Sequence, residues 1–179
     1  MFDFDWILVS GQDKLMVEEF SAFQYQRLEQ KKRFASKDDP TFLPSKESIL
    51  TGYKGEWAAS RWLEIEMDFT TDAKQAMFGD LDFGIEVKAT TNPSGNLWCS
   101  LKTLNDYIRR SPNTPVICAK VAYWPWVELP GWLYAKEIKK FPFTKTHERH
   151  NNGFLVPLKN LRPMSDLKKL CEHWKKTLN

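Results

Sequence analysis

The segment Gly79-Asp80-Leu81-Asp82-Phe83-Gly84-Ile85-Glu86-Val87-Lys88 constrains this chain more than any other. On a straight strand, at about 3.3 Å per residue, Asp80 and Glu86 stand about 20 Å apart, so the backbone must reverse if they share a ligand. A three-residue hairpin loop ends on a left-handed residue, where glycine is least strained, and Gly84 offers that position. With Asp82-Phe83-Gly84 as the loop, Leu81 pairs with Ile85, and Asp80 faces Glu86 with Cβ atoms about 5 Å apart. Asp82 then becomes a turn residue whose carboxylate bonds to nearby backbone amides, and it stays the alternative to Asp80 as the paired acid.

Glu86 and Lys88 lie two apart and so share one strand face, while Val87 points into the sheet. With Asp80 opposite, the pair can hold a divalent cation beside an activating ammonium, the equipment of phosphodiester hydrolysis. An acid-x-lysine triplet alone also describes an ordinary half-exposed strand. What favours a site is the company: Asp80 across a buildable turn, Glu56 on an upstream helical segment, and Thr90-Thr91-Asn92 just downstream. Glu56 falls between the apolar positions Tyr53, Trp57 and Ala58, so it is expected to point inward. Three carboxylates without histidine or cysteine suit a hard ion such as Mg²⁺.

Along the chain, Trp6 to Val9 reads as a short strand and Asp13 to about Phe34 as a helix capped by Asp13. Ser36-Lys37-Asp38-Asp39-Pro40 breaks regular structure. Ser45 opens a second helix to about Ile65, in which Gly52 and Gly55 allow close approach to a strand. Strand-like segments follow at 68–78, 80–89, 96–100 and 116–123, with a helix or turn over Leu101 to Arg110. Trp126 to Leu129 and Gly131 to Tyr134 are strand material around Pro130-Gly131, then comes a helical turn from Ala135 to Lys140. A strand at 153–157 precedes a terminal helix, 165–177, capped by Ser165. Helices first, strands in the middle and a helix last predict an α+β or α/β domain around one mixed sheet. The expected organisation is a single domain: an N-terminal helical extension at 1–44, a core at 45–167 and the C-terminal helix.

The chain of 179 residues suits one domain. No apolar run approaches the ~18 residues of a membrane span, and the acidic start does not resemble a secretory signal, so a cytoplasmic protein is expected. Cys99, Cys118 and Cys171 are odd in number and widely spaced, which suits free thiols, and His147-x-x-His150 lacks a nearby cysteine for zinc. A net charge of +3 does not by itself imply nucleic-acid binding. Lysine and arginine do cluster locally, in 27–37, 102–110, 136–149 and 159–176. Of the eight tryptophans, Trp98, Trp124 and Trp126 are candidates to stack on unpaired bases.

Glu56, Asp80, Glu86 and Lys88 resemble, in order, the four site positions of the PD-(D/E)XK nuclease superfamily. The chain also looks like small phage and environmental members of it, with Gly52-Tyr53-Lys54-Gly55-Glu56, the short Asp80-to-Glu86-Val87-Lys88 turn, Gly131-Trp132 and Leu161-Arg162-Pro163. The likeness covers about Ser45 to Leu167. It departs in one place, since Gly79 rather than proline precedes Asp80. The resemblance implies a restriction-endonuclease-like core, a central mixed β-sheet flanked by helices. It further implies a Mg²⁺-dependent deoxyribonuclease, with Mn²⁺ as substitute, that cleaves DNA by metal-activated water and leaves 5′-phosphates. On that basis Asp80, Glu86 and Glu56 are expected to be metal ligands and Lys88 the activating residue. Asn92, Asn96, Lys102, Arg109 and Arg110 are candidate DNA contacts, a homodimer is plausible, and a phage-encoded copy would work in the host cytoplasm. The alternative is a catalytically inactive DNA-binding or assembly module on the same fold.

Overall fold

Val116-Ile117-Cys118-Ala119-Lys120-Val121 gives almost no residue to solvent, the pattern of a strand covered on both faces. In the computed structural model, which describes residues 5–34, 45–67, 79–144 and 152–178, that strand is the middle of the fold. It is β4 (Pro115–Tyr123), flanked by antiparallel β5 (Trp126–Tyr134) and parallel β2 (Glu86–Thr90). Strand β1 (Asp5–Leu8) pairs antiparallel with β5, giving a mixed sheet of order β1-β5-β4-β2. A smaller antiparallel sheet runs β3 (Leu97–Ser100), β7 (Gly153–Val156), β6 (Phe143–Thr144). The helices are α1 (Gly11–Phe34), α2 (Lys46–Leu63), α3 (Leu101–Arg110), α4 (Ala135–Ile138) and α5 (Met164–Leu178), so the fold is α+β. No helix among the described residues is long and apolar enough to cross a membrane.

Strand alternation divides the core in two. Val87, Ile117, Ala119 and Val121 pack with Trp57, Ala58 and Leu63 of α2 and Leu167 and Cys171 of α5. Val116, Cys118 and Leu133 point the other way, into Leu97, Cys99, Leu104 and Tyr107. Glu86 and Lys88 share that second face, because they pair with Val116 and Cys118.

Helix α2 starts where Ser45 accepts a 3.0 Å hydrogen bond from the Ser48 amide and stops where Glu64 turns left-handed at φ 56°. It lies directly on the sheet. A Cβ at Gly55 would stand 2.7 Å from the Ala89 Cβ and 3.0 Å from the Ala119 Cβ, so small residues on all three elements set the approach. Gly52 does not touch a strand. It lies beneath the Glu56 side chain, whose Oε1 is 3.5 Å from where its Cβ would be.

Several expected boundaries shift. Helix α1 begins at Gly11, and Asp13 instead pairs with Arg61 of α2 at 2.9 Å. Helix α5 begins at Met164, directly after Pro163, so Ser165 lies inside its first turn. The two segments around Pro130 form one strand, because Pro130 sits at a register slip between Cys118–Gly131 and Lys120–Glu128, just past the last β1 pair. Its missing N–H interrupts no ladder there.

Gly131-Trp132 and Leu161-Arg162-Pro163 meet in space. Trp132 and Arg162 exchange both backbone hydrogen bonds, at 3.1 and 3.0 Å, and the Trp132 indole donates to the Pro163 carbonyl at 3.1 Å. The Arg162 guanidinium lies 5.2 Å from the Trp132 ring and pairs with Glu137 at 2.7 Å. This clamp ties β5 to the entry of α5. The expected strand at 68–78, the loop at Ser36–Pro40 and the pair His147 and His150 lie outside the described residues.

Candidate active site

Leu81 and Ile85 form an isolated antiparallel bridge around a single turn of 3-10 helix, Asp82–Gly84. Gly84 is left-handed at φ 69°, and so is Phe83 at φ 62°. A bulky residue there costs about 1–2 kcal/mol. The Phe83 ring is held against the core and lies 5.5 Å from the ring of Trp174 on α5, contacts that offset the cost.

The turn sends the two aspartates in different directions. The Asp80 amide donates to the Ile85 carbonyl at 2.9 Å, and its carboxylate accepts a 2.7 Å bond from the Val87 amide. That places it beside Glu86, within hydrogen-bond reach. Asp82 is exposed, accepts from the Glu66 amide at 3.3 Å, and lines an open cleft of about 440 Å³ with Arg61, Glu64, Glu66 and Lys175.

Glu86 is buried, and burial together with its negative charge raises the Asp80 carboxyl to about 7, against the pull of the Lys88 ammonium and the Val87 amide. Glu56 reaches the same region from α2. Burial, then the charges of Asp80 and Glu86, push its carboxyl well above the usual range, with Lys88 opposing. Asp80 responds to Glu86 and Lys88, and Glu56 to Asp80, Glu86 and Lys88, so the four groups form one electrostatic unit.

Helix α3 adds two members. Tyr107 is buried, its hydroxyl bonds to Glu86, and its phenol is pushed up by burial and then by the charges of Glu86 and Asp80. Lys88 Nζ lies 5.2 Å from the Tyr107 ring centre and the Arg110 guanidinium 5.0 Å, both within cation–π range. Arg110 also forms an ion pair with Glu86 Oε1. Expected among DNA contacts, Arg110 turns inward instead. Tyr107 went unanticipated, although Leu104, Tyr107 and Arg110 at three-residue spacing mark one helix face.

The remaining candidates lie outside this cluster. The Asn92 side chain accepts from the Ser94 amide at 3.0 Å and the Ser94 hydroxyl at 2.9 Å, which builds the turn after β2. Asn96 is half-buried at the entry to β3. Lys102 and Arg109, seven residues apart, share the exposed face of α3, and Arg109 pairs with Asp106 at 3.3 Å.

The sheet face that carries Glu86 and Lys88 continues through Thr90, Lys120 and Glu128 to Trp6, which are successive partners across β2, β4, β5 and β1. Beyond that row the same face exposes Tyr123, Trp126 and Leu8. Trp124 packs against the core, and Trp98 is half-buried.

Among the described residues no three Asp, Glu, His or Cys side chains form a ligating cluster. The donor set is a pair, Asp80 and Glu86, with Glu56 further back. Such a pair still fits Mg²⁺, which keeps several waters and takes one or two carboxylates directly. Comparison with family models, with curated proteins and with solved structures gives no match.

Proposed function

We propose that this protein is a Mg²⁺-dependent deoxyribonuclease on a restriction-endonuclease-like core, with Mn²⁺ as a working substitute. The carrying observation is the opposition of Asp80 and Glu86 across the Leu81–Ile85 bridge, with Lys88 next on the same face. Asp80 and Glu86 would hold the ion directly and Glu56 through water. When bound, such an ion acidifies water and neutralises charge on the phosphoryl oxygens.

The chain's own residues supply the rest. Lys88, held over Tyr107, presents a fixed ammonium where negative charge grows at phosphorus. Val87 fixes Asp80, and Tyr107 fixes Glu86, so neither carboxylate needs to reorganise during the reaction. Hydrolysis adds water across the P–O3′ bond: the water oxygen bonds to phosphorus, and the 3′-oxygen leaves and takes up a proton. Lys102 and Arg109 on the outer face of α3 suit backbone phosphates, with binding that weakens as salt rises. A cytoplasmic location and a homodimer belong to the same reading. Leu15, Met16 and Phe23, exposed on α1, are candidates for the dimer contact.

A cleavage panel of linear, nicked, flapped and four-way DNA with Mg²⁺ or Mn²⁺ tests this. The wild type should cut at least one substrate, and Asp80→Ala should not. If nothing is cut, or if Asp80→Ala cuts normally, the reading is wrong. One observation favours the alternative, a non-catalytic DNA-binding or assembly module: Arg110 already neutralises Glu86. DNA retention that needs no metal and yields no product would support it.

A further inference from the structure

We propose that Arg110 is a displaceable internal counter-cation, which holds Glu86 while no divalent ion is bound and leaves it when one binds. The inference rests on the metal-site reading above and concerns how that site is kept ready.

Arg110 is the last residue of α3, and the Ser111 amide closes the helix behind it by donating to the Tyr107 carbonyl at 2.9 Å. The backbone is therefore fixed while the side chain is not enclosed: 23% of it remains accessible, against 6% for Glu86. One face of the guanidinium stacks on Tyr107 and its Nη2 meets Glu86 Oε1. Arg110 is thus the more accessible partner of the pair, and its long side chain has the bonds to turn its charged head toward solvent.

Charge points the same way. A dication held by Asp80 and Glu86 would stand beside two cations already there, Lys88 and Arg110. Burial leaves little water to screen these like charges, so moving Arg110 away relieves part of their repulsion. Tyr107 keeps its bond to Glu86 in both states, so the carboxylate does not drift when the arginine leaves. The released guanidinium, beside Lys102 and Arg109 on α3, is available to a DNA phosphate, for which arginine's planar fork is suited.

Binding of Mn²⁺ to the whole chain, followed by calorimetry without DNA at 0.5 M NaCl, where distant charges are largely screened, tests this. Arg110→Gln should bind Mn²⁺ about tenfold more tightly than wild type. Arg109→Gln, one residue away on the outer face, should stay within about twofold. Arg110→Lys should fall between, which guards against a folding defect in the glutamine variant, and circular dichroism should show the same helix content for all. If wild type binds Mn²⁺ and Arg110→Gln binds it equally or more weakly, the counter-cation role is wrong while the metal site stands. A gain of equal size in Arg109→Gln also overturns it, because mere charge then suffices. If neither wild type nor Arg110→Gln binds Mn²⁺, the metal site itself is wrong.

Discussion

The Asp80 carboxylate accepts a 2.7 Å hydrogen bond from the Val87 amide, which fixes it next to Glu86 at the start of β2. Because burial and Glu86 raise Asp80 to about 7, the folded state holds a proton that the unfolded chain releases near the usual carboxylate value of about 4. For a raised acid, stability is therefore fully present below that lower value and is lost as pH rises toward 7. Glu56 acts in the same direction. Thermal melts without divalent ions should show the midpoint falling between pH 5 and pH 8, and Asp80→Asn should flatten that slope. An equal slope in the variant contradicts the shared cluster.

Gly55 carries the contact between α2 and the sheet. A methyl group there overlaps Ala89 and Ala119, so Gly55→Ala should cost about 1–3 kcal/mol in urea unfolding. The adjacent Glu56 would move with the helix, so the influence of Asp80 on it should weaken too. Unchanged stability would mean that α2 sits less closely than described.

Lys120 and Glu128 form a buried ion pair at 2.9 Å on the same sheet face as Lys88. Lys120→Met leaves Glu128 charged and enclosed, and should lower stability by about 3–5 kcal/mol. The double variant Lys120→Met/Glu128→Leu should recover much of this. Denaturant titration of both variants separates a needed pair from a tolerated one, and an additive loss in the double variant contradicts the expectation.

Much of this arrangement was legible in the residues. Gly84 and the spacing of Asp80, Glu86 and Lys88 specify a turn, and the Leu81–Ile85 bridge follows from counting. The left-handed Phe83 was not legible, because its offset comes from α5, ninety residues away. Local spacing likewise says nothing of Arg110 on Glu86, since an arginine at a helix end is ordinarily solvated, and only the tertiary fold brings the end of α3 to Glu86. Pro130 broke β5 on propensity, but a register slip absorbs it. The link between Trp132 and Arg162 spans thirty residues and depends on where α5 enters.

Trp6, Tyr123 and Trp126 lie on the face that runs from Lys88, and their rings are about half exposed. Only unpaired bases offer a free face to such rings. Trp126→Ala should weaken binding of single-stranded or flapped DNA about 5- to 100-fold, and that of blunt duplex much less. Fluorescence anisotropy with matched oligonucleotides checks this, and equal losses on both would contradict it.

The central claim is that Lys88 acts in chemistry beside the Asp80–Glu86 pair rather than in folding. Single-turnover DNA cleavage with saturating Mn²⁺, run beside Mn²⁺ calorimetry, tests it most directly on wild type and Lys88→Ala. The variant's rate should be about 10²- to 10³-fold lower, with Mn²⁺ affinity held within a few-fold. Cleavage by Lys88→Ala at the wild-type rate would contradict it.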